Sequence, residues 1–208
     1  MFFIGYDPGG NDKHGVATLV VENGRPVRAE SALVESAEQA IRWFSRQQGR
    51  PTAIGVDTLT CWSTGPSGWR PADRWLKQRY PDVQGSVASS NSLYGSMSIN
   101  GMATLIALKA AFPGLLITET HPKVLHWHLV SRPYDFVAGR TAMLESLGSQ
   151  LGFSFTCASD HEWDAVLSAL VAFLGVTGVW QLDLHQLAAA PYERLISPCG
   201  ETKYFWPS

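Results

Sequence analysis

The chain opens on an apolar run, FFIGY (residues 2–6), that stops at Asp7. After a short polar break the apolar pattern resumes in HGVATLVVENGRPVRAESALV (14–34). Asn23-Gly24, in the middle of that second run, is the pair a two-residue hairpin loop needs, because both loop positions take φ > 0. The pattern therefore predicts three strands in an antiparallel meander. Over SAEQAIRWFSRQ (36–47) the period changes, and Ala37, Ala40, Ile41 and Phe44 share one helical face. PTAIGVD (51–57) is a short apolar strand after that helix, so a crossover would pair it parallel to an earlier strand.

Residues 61–99 are less regular. A short helix is expected from Pro71 to Arg79, and the Ser- and Gly-rich GSVASSNSLYGSMSIN reads as a mobile loop over 84–99, a candidate lid or substrate guide. GMATLIALKAAF (101–112) predicts a helix stopped by Pro113-Gly114, and LLITET (115–120) a strand. Helices follow at about 122–130, 139–151 and 160–175, and the tail (190–208) reads as a last strand or loop packed on the core. With no internal repeat and no linker, residues 1–208 are expected to form a single α/β domain.

Composition narrows the picture. At 45% hydrophobic and 16% charged residues the chain can build a core, which excludes disordered and fibrous classes. A net charge of −2 weighs against a protein living on duplex nucleic acid, though a local basic strip would suffice for contact. Cys61, Cys157 and Cys199 are far apart and odd in number, so neither a disulfide framework nor a zinc ribbon is indicated. A reducing cytoplasm fits. No signal-peptide pattern stands at the N-terminus, and AVLSALVAFLGV (165–176) is too short to cross a bilayer, so no membrane partner is expected.

The acids fall at the ends of elements. Asp7 ends the first strand, Asp57 the strand after the first helix, and Glu119 the LLITE run. Sites in α/β sheets gather beyond the carboxyl ends of strands. Each acid also has a plainer reading: Asp7 and Asp57 as turn residues, Glu119 as a solvated strand end. In SDHEWDAVLSAL, Ser159 and Glu162 make a capping box, and Asp160 suits the helix dipole. Asp164 lies past the first turn of a helix apolar on nearly all sides, where a carboxylate is costly unless paired or bound to a cation. His161 (i,i+3) and Asp160 (i,i+4) share its face. His161 is either solvated or a partner to a ligating carboxylate; Asp160 could stand in for it. If Asp7, Asp57, Glu119 and Asp164 converge, each pair at about 4 Å repels by roughly 1–4 kcal/mol. Oxygen-only ligands favour Mg²⁺ or Mn²⁺ as the compensating ion, and a pair of such ions serves in-line displacement at phosphorus.

Arg70, Asp73 and Arg74 in RPADR have two readings: a helix start with solvated arginines, or substrate contact, since Arg forks suit phosphate oxygens. Lys123 and Arg140 are weaker candidates of the same kind. Trp62, Trp69 and Trp75 flank the suspected site and could stack on bases, but packing explains them as well.

Three opening strands with an Asp on the first, a helix, a strand ending in an acid and a late helix carrying HEWDA resemble the ribonuclease H-like fold. The late helix is similar to that of Holliday-junction resolvases, where an acid or His stands three residues before an Asp-Ala. The segments GYDPGG, GVDTLTCW, RPADRWLKQR, ETHPKVL, DHEWDAVLSALVA and YERLISP, in this order, resemble a family of predicted nucleases (domain of unknown function 429) over nearly the whole chain. One departure is TLTCWSTGPSG after Asp57, where that family more often has an apolar-Pro stretch, so the wall of the site differs.

The resemblance implies an α/β fold whose mixed sheet has three antiparallel opening strands followed by parallel strands, with helices on both faces. It also implies a metal-dependent nuclease with Asp7, Asp57, Glu119 and Asp164 as ligands. With the residue-level reading, the candidate catalytic set is Asp7, Asp57, Glu119, Asp164 and His161. The candidate metal ligands are Asp7, Asp57, Glu119, Asp160 and Asp164, and Arg70, Asp73, Arg74 and Lys123 are the candidate substrate contacts. The substrate would be nucleic acid or a nucleotide. Two alternatives stand. One is an ATP-using phosphotransferase of the actin and sugar-kinase type, its phosphate held by DPGGNDKHG; that type needs two such domains, hence a homodimer here. The other is a non-catalytic module binding nucleic acid or protein on the same fold.

Overall fold

A computed structural model describes residues 1–89, 95–190 and 193–208. The elements run β1 (Phe2–Asp7), β2 (His14–Glu22), β3 (Arg25–Val34), α1 (Ala37–Ser45), β4 (Ala53–Val56), β5 (Trp62–Ser63) and α2 (Pro71–Arg79), then α3 (Gly95–Ala111), β6 (Leu116–Glu119), α4 (Pro122–Val130), α5 (Phe136–Leu151) and α6 (Asp160–Val176). The central sheet has the order β3-β2-β1-β4-β6. β1, β2 and β3 are antiparallel, and β4 and β6 add in parallel to β1. This order and these directions are the mixed sheet that the ribonuclease H-like resemblance implies. The hairpin between β2 and β3 turns at Asn23 (φ 51°) and Gly24 (φ 76°), as the sequence pair requires. Among the described residues no helix is long and apolar enough to cross a membrane.

Alternation along β1 and β4 sends Ile4, Tyr6, Ile54 and Val56 into a core under α1 and α3, while Phe3 joins a second core built around α6. α1 is amphipathic, buries Ala40 and Phe44, and starts at Ser36, whose Oγ accepts from the Gln39 N–H at 3.3 Å. α6 is enclosed on nearly every side from Glu162 to Phe173, which accounts for its apolar composition.

α6 lies almost on the sheet backbone. Gly5 and Gly55 are partners on adjacent parallel strands, and Gly15 is opposite Asp7. A Cβ at Gly5 would stand 1.8 Å from the Ala165 carbonyl oxygen, at Gly55 1.9 Å from that of Ser168, and at Gly15 1.9 Å from that of His161. The three positions are therefore glycine because the helix backbone occupies the space a side chain would need.

The expected loop over 84–99 is corrected in part. Residues 81–86 form a 3₁₀ turn, and α3 begins at Gly95, six residues before the expected start at 101. Residues 90–94 lie outside the described chain. Gly and Ser gave this first turn and a half low helix propensity, but tertiary contacts hold it. Thr58 Oγ1 donates to the Met97 carbonyl (3.1 Å), Asn100 Nδ2 to that of Gly9 (2.8 Å), and Thr58 packs on Gly101. After α6 come β7 (Leu182–Asp183) and, within the tail, β8 (Leu195–Ile196) and β9 (Phe205–Trp206). β8 pairs with β5 and β9 with β7.

Gly55→Ala is expected to force α6 off the sheet and cost about 3 kcal/mol or more in a urea unfolding experiment. Gly85→Ala, where nothing lies within 4 Å of the new Cβ, is expected to change stability by no more than about 0.5 kcal/mol.

Candidate metal centre

Asp7 and Gly5 share a face of β1, and Asp57, the residue after β4, follows Gly55 on the same alternation. Both carboxylates thus leave the sheet on the side where the glycines admit α6. Asp164 sits one turn into that helix. One carboxylate oxygen from each of Asp7, Asp57 and Asp164 lies within 4.8 Å of the other two. Asp7 is 3% exposed and Asp164 5%, while Asp57 is half-buried.

Two side chains hold this trio. His161 Nδ1–H donates to Asp7 Oδ2 at 2.5 Å, and the Tyr134 hydroxyl donates to Asp164 Oδ1 at 2.7 Å. Lys123, exposed at the start of α4, lies 5.7 Å from the centre of the Tyr134 ring, and its charge reaches Asp7 and Asp57. Asp160 is partly exposed and is outside the trio; its Oδ1 accepts the His161 backbone N–H at 3.0 Å, a helix-start contact.

All three trio carboxyls titrate above the usual range. Burial is the largest cause in each. For Asp7 it is opposed by the bond from His161; for Asp57 it is reinforced by the charge of Asp7; for Asp164 by the charges of Asp7 and Asp57, against the bond from Tyr134. His161 is raised by its bond to Asp7. Three carboxylates facing one another, two buried and one half-buried, form an oxygen-only donor set that could hold a hard divalent cation such as Mg²⁺ or Mn²⁺.

Glu119 does not join them. Its strand partner is Val56, not Asp57, and partnered side chains leave the sheet on the same face, so Glu119 points away from α6. Its oxygens are spent. Arg70 Nη2 donates to Oε1 at 2.5 Å and Nη1 to Oε2 at 2.8 Å, Oε2 also accepts from the Thr60 N–H at 2.8 Å, and His185 Nε2 stands 3.5 Å away. The Arg70 charge beside it holds its carboxyl far below the usual range. The expectation of Glu119 as a metal ligand is corrected accordingly.

The same network corrects the substrate-contact reading of Arg70 and Asp73. Both are 1% exposed, and the Arg70 fork that is not on Glu119 is on Asp73, at 2.7 Å and 3.0 Å. Asp73 also accepts the Arg70 backbone N–H at 2.9 Å, which starts α2. Arg74 is bound to Glu193 through both Nη atoms. Arg140 donates to the Cys157 carbonyl at 2.5 Å. Trp75 packs in the aromatic group of Tyr80 and Trp206.

Tyr134 and His185 carry no local signal in the sequence, because each reaches its partner only through the tertiary fold. Pro71 with Asp73 does carry one, since that spacing marks a helix start and so argues for the structural reading of RPADR.

No model of a known protein family matches the chain, and no curated protein matches it. Among solved structures it is similar to RuvC of Thermus thermophilus, at 20% identity over 86% of this chain and 97% of that one, with a TM-score of 0.49. It is also similar to T. thermophilus RuvC in complex with a Holliday junction substrate, at 17% identity over 86% of this chain and 96% of that one, with a TM-score of 0.47.

The raised carboxyls fix a pH dependence. An acid whose pKa is higher folded than unfolded keeps its proton more tightly in the fold. The metal-free protein therefore loses stability as pH climbs from the unfolded carboxylate value, about 4, through the raised values. A divalent cation binds only the deprotonated form and reverses the loss. The rise in melting temperature on adding Mn²⁺ is expected to be small in acid and to grow toward neutral pH. Asp164→Asn is expected to raise the metal-free melting temperature at neutral pH and to abolish the Mn²⁺ effect. A Mn²⁺ shift that does not change with pH would contradict this account.

Glu119→Gln is expected to behave in the opposite way. Leaving Arg70 underpaired in the interior costs about 3–5 kcal/mol in denaturant unfolding, while Mn²⁺ binding to the folded protein, followed by calorimetry, stays unchanged.

Proposed function

We propose that this chain is a divalent-metal-dependent hydrolase of phosphodiester bonds, acting on nucleic acid or a nucleotide. The observation that supports the reading best is the convergence of Asp7, Asp57 and Asp164 from two strands and a helix, where His161 is the one cationic side chain among the described residues that bonds to them. Such a cluster destabilises the metal-free fold and is compensated by binding Mg²⁺ or Mn²⁺. When bound, such an ion supplies Lewis acidity toward a phosphoryl group and a lowered pKa for water.

The protein's own residues supply the rest. Asp7, Asp57 and Asp164 are the ligands. Tyr134 fixes the rotamer of Asp164 by its 2.7 Å bond, and His161 does the same for Asp7. His161 bonds Asp7 through Nδ1 and is 28% exposed, so its other ring nitrogen can give or take a proton at a substrate oxygen. Lys123 offers positive charge beside the carboxylates for a phosphate, and Asp160 is a reserve ligand at the helix start. The ordered motifs that resemble the predicted-nuclease family agree with this reading, as does a net charge that favours a small or single-stranded substrate over duplex.

Asp7→Asn is expected to reduce Mn²⁺-dependent cleavage of labelled single-stranded DNA and RNA to background while circular dichroism and melting temperature show an intact fold. Cleavage retained by a folded Asp7→Asn protein would overturn the proposal.

A further inference from the structure

Strand order and direction fix a row along the end of the sheet where Asp7 and Asp57 emerge. β1, β4 and β6 finish there, and β2, antiparallel to β1, begins there. The row runs from the start of β2, past Asp7 on β1 and Asp57 after β4, to the end of β6. An exposed lysine stands at each end of it. Lys13 immediately precedes β2, and Lys123 lies in the first turn of α4, the helix that follows β6. Among the described residues neither lysine makes an ion pair with a carboxylate.

The loop between β1 and β2 holds Lys13 in place. The Lys13 N–H donates to the Gly10 carbonyl at 3.2 Å and the Asp12 N–H to that of Glu35 at 3.0 Å. Asn100 Nδ2 of α3 donates to the Gly9 carbonyl at 2.8 Å. A Cβ at Gly9 would stand 1.9 Å from the Lys13 carbonyl oxygen, so the loop is folded tightly on itself. Two residues beyond Lys13, Gly15 lies opposite Asp7 and against the His161 backbone. The Lys13 charge accordingly reaches His161, the partner of Asp7. At the other end, Lys123 borders the cavity beside Asp57 and lies 5.7 Å from the centre of the Tyr134 ring, whose hydroxyl bonds Asp164. Either lysine alone reads as a solvated surface residue. Together they bracket the three acids with two ammonium groups not committed to any carboxylate.

This arrangement selects the spacing of negative charge in a ligand. From the start of β2 to the end of β6 is three strand spacings of about 4.8 Å, roughly 14 Å in all. Neighbouring phosphates of a phosphoanhydride chain share one oxygen, so a nucleoside triphosphate is too short to meet both lysines with its middle phosphate at the acids. Three successive phosphates of a nucleic-acid strand, spaced by sugars, cover the row. We propose that Lys13 and Lys123 hold the phosphates on either side of the reacting one, so that the substrate is a linkage inside a nucleic-acid strand. The inference rests on the hydrolase reading for the phosphate at the centre. Both contacts go to the backbone and are indifferent to base sequence.

The test uses the full chain and a labelled single-stranded thymidine tetramer, TpTpTpT, with its uridine counterpart. In each series a methylphosphonate, which has no charge, replaces the first linkage, the third, or both. With Mn²⁺, kcat/KM at the central linkage is expected to fall about tenfold for each replacement, the scale of one charge-assisted hydrogen bond. Lys13→Gln is expected to abolish the penalty at one flank and keep it at the other, and Lys123→Gln to do the reverse. With Ca²⁺ in place of Mn²⁺, each variant is expected to make the slope of log affinity against log salt shallower by about 0.7, the value for one phosphate contact on a single strand. A lysine that serves only the fold moves neither readout. Equal cleavage of all the tetramers of a series by the unaltered protein overturns the inference, and this arm needs no variant to fold. So does cleavage of TpT as fast as the central linkage of the tetramer, or an unchanged flank penalty and salt slope in folded Lys13→Gln. Cleavage without flank dependence removes the two contacts alone. Salt slopes that fall in both variants, with no cleavage in either series, remove the hydrolase reading and leave the contacts standing.

Discussion

The contact of α6 with the glycines of the central sheet is the constraint on which the rest of the molecule depends. With side chains at Gly5 and Gly55 the helix would ride several ångströms higher, and Asp164 would leave the reach of Asp7 and Asp57. Because helix and strand backbones touch, three acids from distant parts of the chain share one small volume. The same closeness strips water from Asp7 and Asp164, so the geometry that gathers the acids is also what makes their charges expensive.

Two buried charge clusters in this fold make an instructive contrast. Around Glu119, Arg70 offers a planar fork to two carboxylates at once, Thr60 adds two donors, and His185, pushed up to about 10, contributes further positive charge. Every strong acceptor there is satisfied from within the chain. Around Asp7, Asp57 and Asp164 the described residues supply one imidazole and one phenol by hydrogen bond, and the Lys123 charge from farther off. Carboxyls set into the same fold thus titrate in opposite directions, Glu119 down and the trio up. The direction follows the supply of positive charge from within the chain and separates a structural ion pair from a carboxylate cluster that could hold an ion.

Much of the fold was legible along the chain. Period-2 alternation and the Asn23-Gly24 pair specified the opening meander, and the period change at Ser36 specified α1. Pro71 placed the start of α2, and Pro113-Gly114 closed α3. The misread stretch was the start of α3, where Gly and Ser carry weak helix propensity and Thr58 and Asn100 supply what propensity lacks. At the site, Asp7, Asp57 and Asp164 were legible because each breaks a local rule: two strands running into a lone acid, and a carboxylate inside an apolar helix. Glu119 breaks a rule of the same kind and yet belongs elsewhere. Its direction depends on the register of β6 against β4, which no local pattern encodes.

The sequence by itself determined the order of strands and helices, the face each strand buries and the identity of the acids, because these follow from interactions between residues near in the chain. Which acids meet was decided by tertiary structure. Parallel register and helix-to-sheet approach arise between segments separated by tens of residues, and they brought Asp164 against Asp7 while turning Glu119 toward Arg70. Tyr134 on Asp164 belongs to the same category, an ordinary loop residue until the fold chooses its neighbour.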